Sequence, residues 1–147
     1  MNDSPTVRPI SPGDCHAVAQ LTAQLGYERT AEQVRQWVQE LGAHPHQAAF
    51  VAELDGEVVA WIEVSLARHL QSQTFGLIGG LVVRDGRRGL GIGRKLCGEA
   101  ERWTLRHGAT TIRVTSRSTR EAAHRFYLRD GYRQSKISMV FEKTLTP

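Results

Sequence analysis

The chain has 147 residues, the usual size of one domain, and its 40% hydrophobic and 23% charged residues describe an ordinary globular protein. No apolar run approaches the roughly 18–20 residues of a membrane span, and Met1-Asn2-Asp3-Ser4-Pro5 lacks the basic and apolar stretches of a signal peptide, so a cytoplasmic protein with no membrane partner is expected. The net charge of +4 favours an anionic ligand without naming the anion, and Cys15 and Cys97 have no Cys-x-x-Cys spacing and are expected as reduced, packed thiols.

Taken in chain order, Thr6–Ile10 reads as a first strand. Ser11-Pro12 opens a helix with Cys15, Val18, Leu21 and Leu25 on one face and a stop at Gly26. Thr30-Ala-Glu-Gln33 is a capping box ahead of Val34, Trp37, Val38 and Leu41, an i, i+3, i+4, i+7 stripe ending at Gly42. Ala48–Leu54 and Glu57–Ala67 read as strands joined by the hairpin turn Asp55-Gly56, and Thr74–Val83 as a third. From Gly91 to His107 the stripe Ile92, Leu96, Ala100, Trp103 marks a helix closed by Gly108, and Thr111–Thr115 alternates as a strand. Ser118-Thr-Arg-Glu121 reads as a second capping box, starting a helix with Ala122, Ala123, Phe126 and Tyr127 that ends at Gly131. Tyr132–Ser135 and Ile137–Leu145 are expected as closing strands. The order β-α-α-β-β-β-α-β-α-β-β, with no repeat or linker, predicts one α/β domain of the α+β type over residues 1–147, with about seven strands in a largely antiparallel sheet and about four helices.

The stretch from Leu81 to Arg94 carries the chemistry. A strand ends at Val83, a basic turn follows, and a helix starts near Gly91. Amides at a helix N-terminus lack internal partners and lie at the positive end of the dipole. Glycines let such a backbone approach an anion closely, and Arg84, Arg87, Arg88 and Arg94 add charge suited to phosphate. Gly89, Gly91 and Gly93 are spaced i, i+2, i+4, which is not the dinucleotide fingerprint, and no Gly-Lys-Ser/Thr follows to make a P-loop. The arginines gather at one loop with no interleaved aromatic platform, which argues against nucleic acid as the partner. His44-Pro-His46 has no acid or cysteine at ligand spacing, so no metal is expected.

Arg88-Gly-Leu-Gly-Ile-Gly93 resembles the Arg/Gln-x-x-Gly-x-Gly/Ala loop of the GNAT superfamily of N-acetyltransferases, and Ala123-His-Arg-Phe-Tyr-Leu-Arg-Asp-Gly-Tyr132 is similar to that family's Ala-x-x-Phe-Tyr-x-x-x-Gly-Phe/Tyr segment. The element order agrees over almost the whole chain. The resemblance implies an acetyl-CoA-dependent transferase acting on a primary amine of a small molecule or peptide by direct attack in a ternary complex. Arg88, Gly89, Leu90, Gly91, Ile92, Gly93 and Arg94 would hold the pyrophosphate, and Leu81, Val82 and Val83 would offer main-chain groups to the pantetheine arm. Tyr127 matches the family's general acid, and a backbone amide near Leu81–Val83 would meet the oxyanion. Gly79-Gly80 is compatible either with a bulge that turns amides out of the ladder or with a crowded packing position.

The sequence departs from the family at the base. Leu77-Ile-Gly-Gly-Leu81 has no carboxylate, and Thr115 stands where other relatives carry a glutamate. Glu63 on the neighbouring strand is the best remaining carboxylate, as base or amine-binding group, and His69 the best remaining imidazole. Arg120 replaces an asparagine that many relatives place against CoA; it either takes a phosphate or only decorates the first helical turn. Tyr27, in the connection that lines the acceptor site in relatives, is either a substrate contact or an aromatic plug. The missing strand carboxylates also motivate an alternative, a non-catalytic acyl-CoA-binding module on the same fold. Homodimers are common in the family, so a homodimer stays open.

Overall fold

A computed structural model describes residues 4–147. The chain divides into two compact units, one running to Thr115 and the other from Ser116 to Pro147.

The first unit is a five-stranded sheet in the order β1 (Thr6–Pro9), β2 (Gln47–Leu54), β3 (Glu57–Ala67), β4 (Phe75–Val83), β5 (Ile112–Val114). The first four strands are antiparallel, and β5 joins β4 in parallel. The β2–β3 turn is tight because Asp55 and Gly56 both take positive φ, 53° and 79°, as a two-residue hairpin of matching twist requires. Helices α1 (Cys15–Gln24) and α2 (Ala31–Leu41) cover one face of the sheet. Val18, Leu21, Val34 and Val38 pack there on Val51, Val58 and Val82, with Trp61 at the margin. The capping box on α2 forms as read: Gln33 N–H donates to Thr30 Oγ1 and Thr30 N–H to Gln33 Oε1, both at 3.0 Å.

Helix α3 (Ile92–Arg106) packs on the opposite face. It approaches closely because Gly76 has no side chain: a Cβ there would lie 2.2 Å from the hydroxyl of the buried Thr104. Ile62, Val64, Ile78, Ile92 and Leu96 are almost wholly withdrawn from water on this side, each contributing about 1.5–3 kcal/mol by transfer. Cys15 and Cys97 are buried, packed thiols, as expected.

The second unit holds α4 (Glu121–Arg129). Its C-terminus is a Schellman motif: Tyr132 N–H donates to Tyr127 O at 2.9 Å and Gly131 N–H to Leu128 O at 3.3 Å, with Gly131 at φ 90°. The ring contact between Tyr127 and Tyr132, 5.7 Å between centroids, is the apolar contact that accompanies it.

Three expectations need correction. Residues 132–147 form no strand, so five strands stand where about seven were expected. Alternation in 137–145 supplies a strand's pattern, but a strand exists only with a ladder partner, and the described chain gives this segment none; Ile137, Met139 and Phe141 are correspondingly exposed. The capping box at Ser118 does not form, because α4 starts later, with Arg120 at the N-cap and no side-chain cap. The helix expected from Ser11-Pro12 begins instead as a 3₁₀ turn over Pro12–Asp14, where Asp14 is held by Arg8 at 2.7 and 2.8 Å before α1 proper starts.

Candidate active site

Strand β4 organises the first unit's site. It pairs with β5 only from Gly76 to Ile78, and beyond that point β5 no longer follows it. On the other side the register with β3 slips at the same place, because Glu63 faces Gly80 and Val64 faces Ile78. Gly79 is the extra residue of a β-bulge. The bulge and crowding readings of the glycine pair therefore both hold. A Cβ on Gly79 would lie 1.9 Å from Glu63 Oε2, and one on Gly80 would lie 2.7 Å from the Trp61 ring. The two glycines leave the space that the Glu63 carboxylate and the Trp61 indole occupy. Trp61 Nε1 is buried with no acceptor among the described residues.

Glu63 is half-buried on the sheet face that carries α1 and α2, in the same row as Trp61. Burial pushes its carboxyl pKa up from the ordinary glutamate value, since the charged form loses water. Arg113 of β5 faces Leu77 and so shares this face. Its guanidinium lies 4.1 Å over the ring of the buried Phe75, on which His69 also stacks.

After Val83 the chain turns sharply. Arg87 N–H bonds Arg84 O at 3.0 Å, and Gly86, Gly89 and Gly91 all take positive φ. Gly91, at φ 77°, is the N-cap of α3, and the first helical bond is Lys95 N–H to Gly91 O at 3.1 Å. The amides of Ile92, Gly93 and Arg94 thus precede the helical ladder, at its positive end. Nothing lies within 4 Å of where a Cβ would stand on Gly89 or Gly91, so the turn is open to an anion. Leu90 and Arg88 are exposed, and Arg88 lies 3.1 Å from Asp85 in a solvated pair of the weak kind. Ile92 is the exception in this loop: it is a core residue that anchors the helix start, leaving only its main chain to face a ligand.

Arg84 does not belong with the loop's cations. It donates to Glu57 and to Val58 O, each at 3.1 Å, and so ties the loop to the β2–β3 hairpin. Sequence reading also missed Gln24. Its side-chain amide donates to Val83 O at 2.8 Å and accepts from Asp85 N–H at 2.9 Å, fastening the end of β4 to α1. No local pattern marks a glutamine whose partners lie about sixty positions away. Arg113 did have a signal, since alternation sets it opposite Ile112 and Val114. Val82 belongs to the core, while Leu81 and Val83 are half-buried.

In the second unit, Tyr127 packs edge-on against Phe126 at 5.2 Å and Tyr132 at 5.7 Å, so the Schellman motif fixes both its main chain and its ring. His124 is hydrogen-bonded to Arg117 O at 2.8 Å. Arg120 is exposed at the N-cap of α4, where a cation has the wrong sign to stabilise the helix. Tyr27 is 52% exposed. Among the described residues no group of three His, Cys, Asp or Glu side chains is arranged to hold a metal, and no helix is long and apolar enough to cross a membrane.

Residues 16–132 match the acetyltransferase (GNAT) family. An aminoglycoside N(6')-acetyltransferase type 1 of Stenotrophomonas maltophilia is 30% identical over 150 residues, which span 98% of this chain and 96% of that protein. An aminoalkylphosphonate N-acetyltransferase of Salmonella typhimurium is 40% identical over 82 residues, 55% of this chain and 53% of its own. Among solved structures, the aminoglycoside N-acetyltransferase AAC(6')-Iy in complex with CoA superposes with a TM-score of 0.85 at 16% identity, covering 97% of each chain.

Proposed function

The chain belongs to the acetyltransferase (GNAT) family, and on that premise we propose how its residues carry acetyl transfer from acetyl-CoA to the primary amine of a small molecule. The family match from residue 16 to residue 132 crosses the boundary between the two units, which supports reading them as one functional domain. The observation that carries the donor side is β4: it leaves β5 at the Gly79 bulge and runs into an open, cationic, glycine-rich turn at the start of α3. Residues 88–94 would hold the pyrophosphate through main-chain amides and the charges of Arg88 and Arg94. The edge of β4 at Leu81 and Val82 would take the pantetheine arm, Val83 O being already engaged by Gln24. Arg120, which does not serve its own helix, would add a charge to a phosphate of the donor. When bound, acetyl-CoA supplies an activated thioester.

The remaining work is proton handling by this chain. Amines are ammonium ions at neutral pH, so a base must free the lone pair. Glu63 would accept that proton, and its raised pKa makes it a better acceptor than an exposed carboxylate. Main-chain N–H groups near the Gly79 bulge would meet the oxyanion. Tyr127 would give its phenolic proton to the departing thiolate and regain one from the acetylated nitrogen; tyrosine's ordinary pKa of about 10 keeps it protonated at pH 7. One proton leaves through Glu63 and the other passes through Tyr127, which balances the amide and the thiol formed. Tyr27 would line the acceptor side. The relatives named as acting on aminoglycosides and on aminoalkylphosphonates support a small-molecule acceptor.

The test is release of free thiol from acetyl-CoA across a panel of amines. Amine-dependent release is expected. Stabilisation by CoA with no turnover on any amine would contradict the reading.

A further inference from the structure

Arg113 is a half-buried cation with no carboxylate in ion-pair range among the described residues, whereas the half-buried Arg8 is paired with both Asp14 and Glu53 and the half-buried Arg84 with Glu57. A desolvated cation left without a counter-ion is costly. The face of Phe75 holds the guanidinium in place without neutralising it. It stands on the same sheet face as Glu63, whose carboxylate lies over Gly79. One face thus presents an acceptor for an ammonium group, from β3 over Gly79, and a donor for an anion, from β5 over Phe75.

We infer that the acceptor amine carries an anionic substituent, a carboxylate or a phosphonate, which Arg113 binds while Glu63 takes the amine. This rests on the functional reading above for the role of Glu63. Phe75 and Gly79 are four residues apart on β4, at most roughly 13 Å at strand rise. If the two groups stand as far apart as the Cα atoms beneath them, two hydrogen bonds of roughly 2.8 Å leave roughly 7 Å between the amine nitrogen and the anionic oxygens. Short amino acids and aminoalkylphosphonates with two or three carbons between the groups fit that span. A polycationic amine would set like charge against Arg113, and a neutral one would leave it unpaired.

The test is calorimetric titration of the CoA-loaded protein with three molecules that share a two-carbon spacer: aminoethylphosphonate, β-alanine and ethanolamine. At least one anion-bearing amine should bind ten-fold or more tightly than ethanolamine, and the order of the two identifies which anion the site takes. Arg113→Gln should erase the preference, Arg113→Lys should restore part of it, and neither should change CoA affinity. Equal binding of ethanolamine, or a preference that survives Arg113→Gln, would overturn the inference. The same panel read by thiol release separates the two ideas. Arg113-dependent binding without turnover sinks the enzymatic reading and keeps the subsite, whereas turnover indifferent to the anion does the reverse.

Discussion

The donor loop and the acceptor face are built by opposite means. The loop around Arg88–Gly93 is contiguous and, apart from the core residue Ile92, open to water: Gly89 and Gly91 hold positive φ, and Arg88 is exposed. The acceptor face is assembled from strands whose order in the sheet, not in the chain, brings Glu63, Gly79, Phe75 and Arg113 to one side. On the proposed function, the first would bind by local conformation. The second works by register, so a one-residue slip would turn Glu63 to the opposite face. Changes to the loop should therefore alter donor affinity, and changes to the face should alter turnover and acceptor choice.

The largest effect should come from the face. Glu63→Gln keeps the shape and removes the proposed base, and should lower kcat by about 10²–10⁴-fold with acetyl-CoA affinity unchanged. It should also make the protein more stable. The folded state holds the Glu63 proton more tightly than the unfolded chain does, so stability falls as pH rises from the ordinary glutamate value, about 4.3, through the raised one. Denaturant titration at neutral pH should find the variant the more stable, with the difference vanishing in acid.

Tyr127→Phe should come next, cutting turnover by about 10²-fold through loss of the acid while the helix terminus survives, because the Schellman bonds use main chain alone. An unchanged rate would remove Tyr127 from the mechanism. Gly79→Ala separates position from chemistry. Its methyl would meet the Glu63 carboxylate, so kcat should fall about ten-fold or more while CoA binding holds, with misplacement as the cause.

Much of the donor side was legible because its signals are local. Gly91 at φ 77° and the Gly131–Tyr132 helix end are backbone demands that only certain residues meet, and they show as spaced glycines. Glu63 and the Gly79-Gly80 pair were visible as residues, but their contact needed the register between β3 and β4. Arg84 shows the converse failure: grouped with its neighbours by sequence, it bonds the β2–β3 hairpin. The closing strands were expected from alternation, which records what one face could bury and not whether an edge is there to pair with.

The smallest effect should come from Gln24, which fastens the end of β4 to α1. Gln24→Ala removes both bonds to the end of β4, worth about 1 kcal/mol each. CoA affinity should weaken by about five- to thirty-fold, with kcat at saturating donor nearly unchanged. A loss of kcat instead would mean that the clamp serves the acceptor face.

The most direct test of the account is the pH dependence of kcat/KM for the amine at saturating acetyl-CoA, in the wild type and in Glu63→Gln. If Glu63 takes the proton of the bound ammonium, the wild-type rate should rise through a pKa above the ordinary glutamate value and then level off. The variant, limited to amine that is already neutral, should be slow and keep rising toward the amine's own pKa. A variant with the wild-type profile and rate would show that Glu63 is not the base.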